Sequence, residues 1–163
     1  MVNSKRSGFS TIELMIVMAI LGAIVMIGPR LFINLTRFYQ LHNAKVEIQR
    51  DARASLDILN RFLRQAQSYT VVVDQASGQP PYSRISFRTV SGQSLSFYQS
   101  GRSLFQVAQS TTTISKNVRY IAFTYPRSDD PSILSVALTM EKATYEGRNK
   151  VLELSIEKVR IMN

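Results

Sequence analysis

From Leu14 to Gly28 the chain carries no charged or strongly polar side chain, and this run constrains the protein more than any other stretch. Counted from Phe9, the segment is long enough to cross a bilayer as a helix. About 20 residues at ~1.5 Å rise match a hydrocarbon core of about 30 Å. Lys5 and Arg6 stand just ahead of it, which favours keeping that end cytoplasmic and exporting the remainder. One carboxylate, Glu13, lies near its start. Inside a membrane helix such a group costs about 2.5–3.5 kcal/mol on insertion scales, so it needs a partner. Phe9 to Gly28 contains no Lys, Arg or His. A cut after Gly8 would place the new α-amino group of Phe9 one helical turn from Glu13. In a packed bundle it would also lie near the Glu13 of an adjacent copy. An ammonium and a carboxylate satisfy each other there in low dielectric. Glu13 therefore suggests both cleavage at Gly8 and association with similar helices.

Two plainer readings stand beside this one. A secretory signal peptide places its apolar core before the cut, whereas here Gly8 precedes the core. A single-pass anchor accounts for the hydrophobicity and leaves Glu13 unexplained.

The run Ser7-Gly8-Phe9-Ser10-Thr11-Ile12-Glu13-Leu14, behind a short basic leader, resembles the processing signal of type IV pilins and type II secretion pseudopilins. The resemblance is carried by Met1 to about Gly28 and extends to Gln67. It implies cleavage after Gly8 by a prepilin peptidase and methylation of Phe9 as the new N-terminus. It also implies that Glu13, fifth residue after the cut, guides subunits into a filament. The implied partners are other pilin or pseudopilin subunits, the peptidase, an inner-membrane assembly platform, and membrane lipid before assembly. The implied location is the inner membrane as a single-pass protein with an extracytoplasmic domain, then a filament. The segments around Asp51–Arg64 and Val118–Tyr125 resemble minor pilins and the larger minor pseudopilins in pattern.

The 163 residues suffice for one domain plus an anchor. Net charge is +9 and falls to +7 once a leader holding Lys5 and Arg6 is removed. Basic charge can mean nucleic acid, anionic lipid or an acidic partner. Here it is spread along the chain, which weakens the nucleic-acid reading. There is no cysteine, so stability has to come from packing of sheet on helix rather than from disulfides.

After Pro29 and Arg30 comes Leu31 to Gln67, without glycine or proline. Phe38, Leu41, Ile48, Ala52, Leu56, Leu59, Phe62, Leu63 and Ala66 recur at helical spacing and predict one buried face. Glu47 with Arg50, and Asp57 with Arg61, have the spacing of supporting ion pairs. The simplest reading is one helix from about Phe9 to Gln67, about 90 Å long at ~1.5 Å per residue. The implied organisation is a leader over 1–8, a membrane and assembly helix over 9–30, and an amphipathic half over 31–68. A β-rich domain follows over 69–163.

In that domain the period changes to two. Strands are expected at Thr70–Val73, Arg84–Val90, around Leu95 and Phe97, and at Leu104–Val107. Further strands are expected at Val118–Tyr125, with Ile121, Phe123 and Tyr125 inward, and from Leu134 to Met140. In a last strand Leu152, Leu154 and Ile156 are expected on the inner face, with Glu153, Ser155 and Glu157 on the other. Ser100-Gly101-Arg102 reads as a hairpin turn, Ser110–Ser115 as a polar loop, and Gly147 as part of a charged turn. The expected fold class is α+β, pilin-like, with a long N-terminal helix packed on an antiparallel sheet.

Nothing in the chain assembles catalytic chemistry, so a non-enzymatic protein without cofactor or metal is expected. His42 is the only histidine and has no second ligand near it in sequence. Asp129-Asp130-Pro131, with Glu141 or Glu146, reads as a turn rather than a calcium loop. Asn34-Leu35-Thr36 fits a glycosylation sequon but falls within the expected helix. The alternative function is DNA binding in an uptake filament. It would use Arg50, Arg53, Arg61, Arg64, Lys116, Arg119, Lys142, Arg148, Lys150, Lys158 and Arg160. A solvated or subunit-facing surface is the favoured role for these side chains.

Overall fold

A computed structural model describes residues 8, 10–144 and 150–161. Helix α1 runs from Thr11 to Leu63, followed by a short 3-10 turn at Ser68–Thr70. Eight strands follow: β1 Val72–Asp74, β2 Arg84–Arg88, β3 Ser94–Ser100, β4 Ser103–Val107, β5 Thr111–Ser115, β6 Val118–Thr124, β7 Ile133–Ala143 and β8 Lys150–Arg160. The class is α+β, with helix on antiparallel sheet. The strands divide between two sheets, a five-stranded one ordered β1-β2-β3-β4-β5 and a three-stranded one ordered β6-β7-β8. The chain forms two compact units, residues 1–40 and 41–163.

Within the second unit, Ile48, Ala52, Leu59 and Leu63 form the buried helix face. They share one apolar core with Ile85 and Phe97 of the first sheet and with Ile121, Phe123, Leu134 and Leu138 of the second. Helical spacing on α1 and alternation on the strands bring these side chains inward. The buried stripe starts at Ala44; Phe38 and Leu41, expected on it, are exposed. Tyr125 lies beyond the end of β6 and is exposed too.

The helix exit is tied to the sheet by its backbone. Val90 N–H donates to Gln65 O (3.0 Å) and Gln67 N–H to Arg88 O (2.9 Å). The β3–β4 hairpin turns at Gly101, whose φ of 58° fits the first central position of a tight hairpin turn. Bidentate pairing with Arg84 across the β1–β2 edge holds the Asp74 carboxyl below its usual range.

Two departures from the sequence reading are informative. Thr111–Ser115, expected as a loop, is strand β5, because its β-branched threonines pair with β4 despite their polarity. β8 is turned over. Leu152, Leu154 and Ile156 are 53%, 64% and 64% exposed, while Glu153, Ser155 and Glu157 face inward. The cause is register: Met140, Leu138 and Val136 of the core pair with Glu153, Ser155 and Glu157. A one-residue slip exchanges the faces, and buried Val159 and Ile161 pin this one. The helix accepts the glutamates with polar side chains. Gln49 donates to Glu153 (3.5 Å) and Asn60 to Glu157. Gly147 lies outside the described residues.

The two sheets are joined by side chains. Gln99 of β3 is buried, and its amide donates to Gly101 O (2.9 Å) and Arg119 O (3.0 Å). Its amide oxygen accepts from Ile121 N–H (3.0 Å). Glu141 of β7 is also buried and receives Arg102 (3.6 Å) and Arg119 (3.3 Å). Replacing Gln99 with leucine keeps the volume but leaves the buried Ile121 N–H without its acceptor, while the carbonyls of exposed Gly101 and Arg119 lose a donor. At about 1–3 kcal/mol for a buried unsatisfied group, Gln99→Leu is expected to lose about 1–3 kcal/mol in chemical denaturation. A loss under about 0.5 kcal/mol, the range of ordinary surface substitutions, would show that Gln99 does not join the sheets.

Candidate functional site

The first turn of α1 is built by Ser10 and Glu13. Leu14 N–H makes the first helical bond to Ser10 O (3.1 Å), which makes Ser10 the residue that caps the helix. Glu13 reaches back and accepts a bond from Ser10 N–H at 3.4 Å. This is one half of a capping box, and the Ser-x-x-Glu spacing that signals it was readable in the sequence. A carboxylate at a helix start is also favoured by the helix dipole. Glu13 thus has a local role that the charge argument alone overlooked.

That role leaves most of its charge unanswered. Glu13 is exposed, and no ion pair to it is formed among the described residues. Around it, Ile12, Leu14, Met15, Ile16, Val17 and Met18 are all exposed. No residue in the most apolar 18-residue window of α1 is buried. By length and composition this helix is able to cross a membrane. It continues through Pro29, whose missing N–H removes one bond of the ladder.

Gly8 is exposed, and a Cβ built on it meets no atom within 4 Å. Phe9 and the leader residues 1–7 lie outside the described residues.

The remaining candidates separate. His42 is exposed on α1, and among the described residues no three metal-ligating side chains converge. Asp129 pairs with Arg127 (3.0 Å), while Asp130 accepts from the Ser132 hydroxyl and from Ser132 N–H (3.0 Å) and is held below the usual carboxylate range by the hydroxyl first and the N–H second. Glu141 is engaged by its two arginines, and Glu146 lies outside the described residues. Thr36 of the sequon donates to Phe32 O (2.9 Å) within the helix.

The basic residues sort into distinct sets. Arg119 is held by Glu141, and Lys142 by Glu47, so Glu47 does not pair with Arg50 as its spacing had suggested. Nor do Asp57 and Arg61 form an ion pair. Lys158 and Arg160 point outward from β8, and Lys116 is exposed between β5 and β6. Arg148 lies outside the described residues, as does the side chain of Lys150. Arg50, Arg53 and Arg61 are exposed on α1, and Arg64 is exposed just past its end, its N–H still bonded to Asn60 O (3.0 Å) in helical fashion. Arg50 and Arg61, like Arg53 and Arg64, are eleven residues apart, close to three whole turns, so the four share one side of the helix. None forms an ion pair among the described residues.

Comparison with known protein families, with characterised proteins and with solved structures found no match to this chain.

Proposed function

We propose that this chain is a structural subunit of a type IV filament, a minor pilin or pseudopilin. In this reading it is processed after Gly8, methylated on Phe9, and built into the filament through its N-terminal helix. It serves pilus biogenesis or type II protein secretion and is not an enzyme. Its partners are other subunits, the prepilin peptidase and the inner-membrane assembly platform, with membrane lipid covering the helix before assembly.

One observation carries the proposal. Glu13 is the single charge in the exposed apolar stretch of α1 up to Pro29, and among the described residues its one partner is a backbone N–H. A carboxylate in that setting is stabilised by an ammonium, and the Phe9 amine of a neighbouring processed copy supplies one.

Glu13→Gln separates capping from charge pairing. Glutamine serves the capping box as well as glutamate but carries no charge. Processing after Gly8 should proceed normally, and incorporation into filaments should fall at least tenfold, as expected for about 1.4 kcal/mol or more of lost pairing. Unchanged incorporation, measured as subunit recovered in sheared filaments, would leave capping as the whole role of Glu13.

A second reading, a DNA-binding subunit of an uptake filament, is favoured by the shared side of Arg50, Arg53, Arg61 and Arg64. Full-length protein in neutral detergent should then bind duplex DNA with a steep salt dependence. Changing all four to glutamine should flatten the slope of log affinity against log salt by about 3–4. Absence of binding at low salt, or an unchanged slope, counts against it.

A further inference from the structure

We propose that the outer face of the five-stranded sheet binds an acidic oligosaccharide, a chain of sugar rings bearing carboxylates. Inward, this sheet presents Ile85, Phe87, Leu95 and Phe97 to the core. Outward, the cross-strand register arranges its side chains in rows. One row reads Val72, Ser86, Ser96, Val107, Thr111, and the next Asp74, Arg84, Tyr98, Phe105, Thr113. On the far side of the first row, Arg88 stands opposite Ser94. The small serines thus lie between Arg84 and Tyr98 on one side and Arg88 on the other, which leaves a channel with a hydroxyl floor. Two adjoining hollows of about 460 and 400 Å³ occupy it and meet at Ser96 and Val107.

The polar groups and the charge of the channel identify the occupant. The Ser86 and Ser96 hydroxyls bond each other (3.1 Å), which uses one of their two protons and leaves the other to donate. The Tyr98 ring stacks on Phe105, centroids 5.4 Å apart, and offers an apolar surface beside that floor. Asp74 and Arg84, paired with each other, add an acceptor and a donor at the wall. A pyranose uses this combination, because its hydroxyls both donate and accept while its C–H face packs on aromatic rings. The free cation calls for an acidic sugar. From Gln75 to Ser128 there are six Arg or Lys and no Asp or Glu, so Asp74 is the one acid of this sheet. Asp74 is engaged by Arg84. Arg88 is fixed by its backbone, its N–H donating to Thr70 Oγ1 (3.0 Å) and its carbonyl accepting from Gln67 N–H (2.9 Å). Its guanidinium makes no ion pair among the described residues, and such a fork takes a carboxylate bidentately. A peptide strand fits less well. Sheets capture peptides at free edges, whereas this channel crosses β2, β3 and β4, each already paired on both sides. Nucleic acid requires several free cations, and among the described residues the channel has one.

The test applies full-length protein in neutral detergent to an immobilised panel of uronic-, sialic- and muramic-acid oligosaccharides, each beside its carboxyl-reduced, neutral form. At least one acidic member should be retained, and its reduced form about tenfold less tightly. Arg88→Gln should weaken retention about tenfold. Ser96→Val, which suits the strand but removes a floor hydroxyl, should weaken it about threefold. Lys45→Gln removes an equal charge from an exposed position of α1 and should change nothing. Circular dichroism checks that each variant keeps its fold. An equal loss with Lys45→Gln and Arg88→Gln would reveal general electrostatic attraction and overturn the proposal. Equal retention of the reduced sugars, or a panel that retains nothing, would overturn it as well. So would displacement by an oligoglutamate of matched charge as effective as by the free sugar, which would make the occupant an acidic peptide.

Discussion

Apolar helix surface has to be withdrawn from water, at about 25 cal/mol for each Å² covered. Along α1 this requirement is met in two different ways. From Ala44 to Leu63 the chain supplies its own cover, and Ile48, Leu59 and Leu63 are fully buried beneath two sheets. From Ile12 to Leu35 it supplies none, and large aliphatic and aromatic side chains stand bare. Under the proposed function the cover for that stretch is lipid or other helices, and the charge of the single carboxylate placed there is answered from outside as well.

The same division explains which parts were legible in the sequence. Where one face is buried and the other solvated, periodicity reports it directly. The Ile48–Leu63 face and the Leu134–Met140 alternation both stand where the pattern places them. β8 was ambiguous, because odd positions carry Val151, Val159 and Ile161 while even ones carry Leu152, Leu154 and Ile156. Only the pairing with β7, and polar Gln49 and Asn60 on the facing helix, decide which set is inward. β5 was obscured by the polarity of its threonines. Gln99 could not have been found at all, since its three bonds go to backbone groups made adjacent by tertiary structure.

At the candidate site, Gly8 and Glu13 were singled out by their unusual setting in an apolar sequence, and the capping contact to Ser10 was missed although its spacing was present. Charge was less legible than hydrophobicity. Glu47 and Glu141 recruit Lys142, Arg102 and Arg119 from distant strands. That withdraws three cations from any free basic surface and leaves the helix arginines, Lys116 and the end of β8 among its separate parts. A net charge gives the excess of one sign but not which side chains remain available.

The central claim is that the N-terminal helix begins life as a precursor and is matured to expose the amine that answers Glu13. Intact mass of the protein from native membranes, with and without the prepilin peptidase, tests this most directly. The account predicts loss of Met1 to Gly8 and gain of one methyl group on Phe9, both dependent on the peptidase. An unprocessed chain in both samples would contradict it, leaving a helix-anchored domain whose Glu13 caps its own first turn and nothing more.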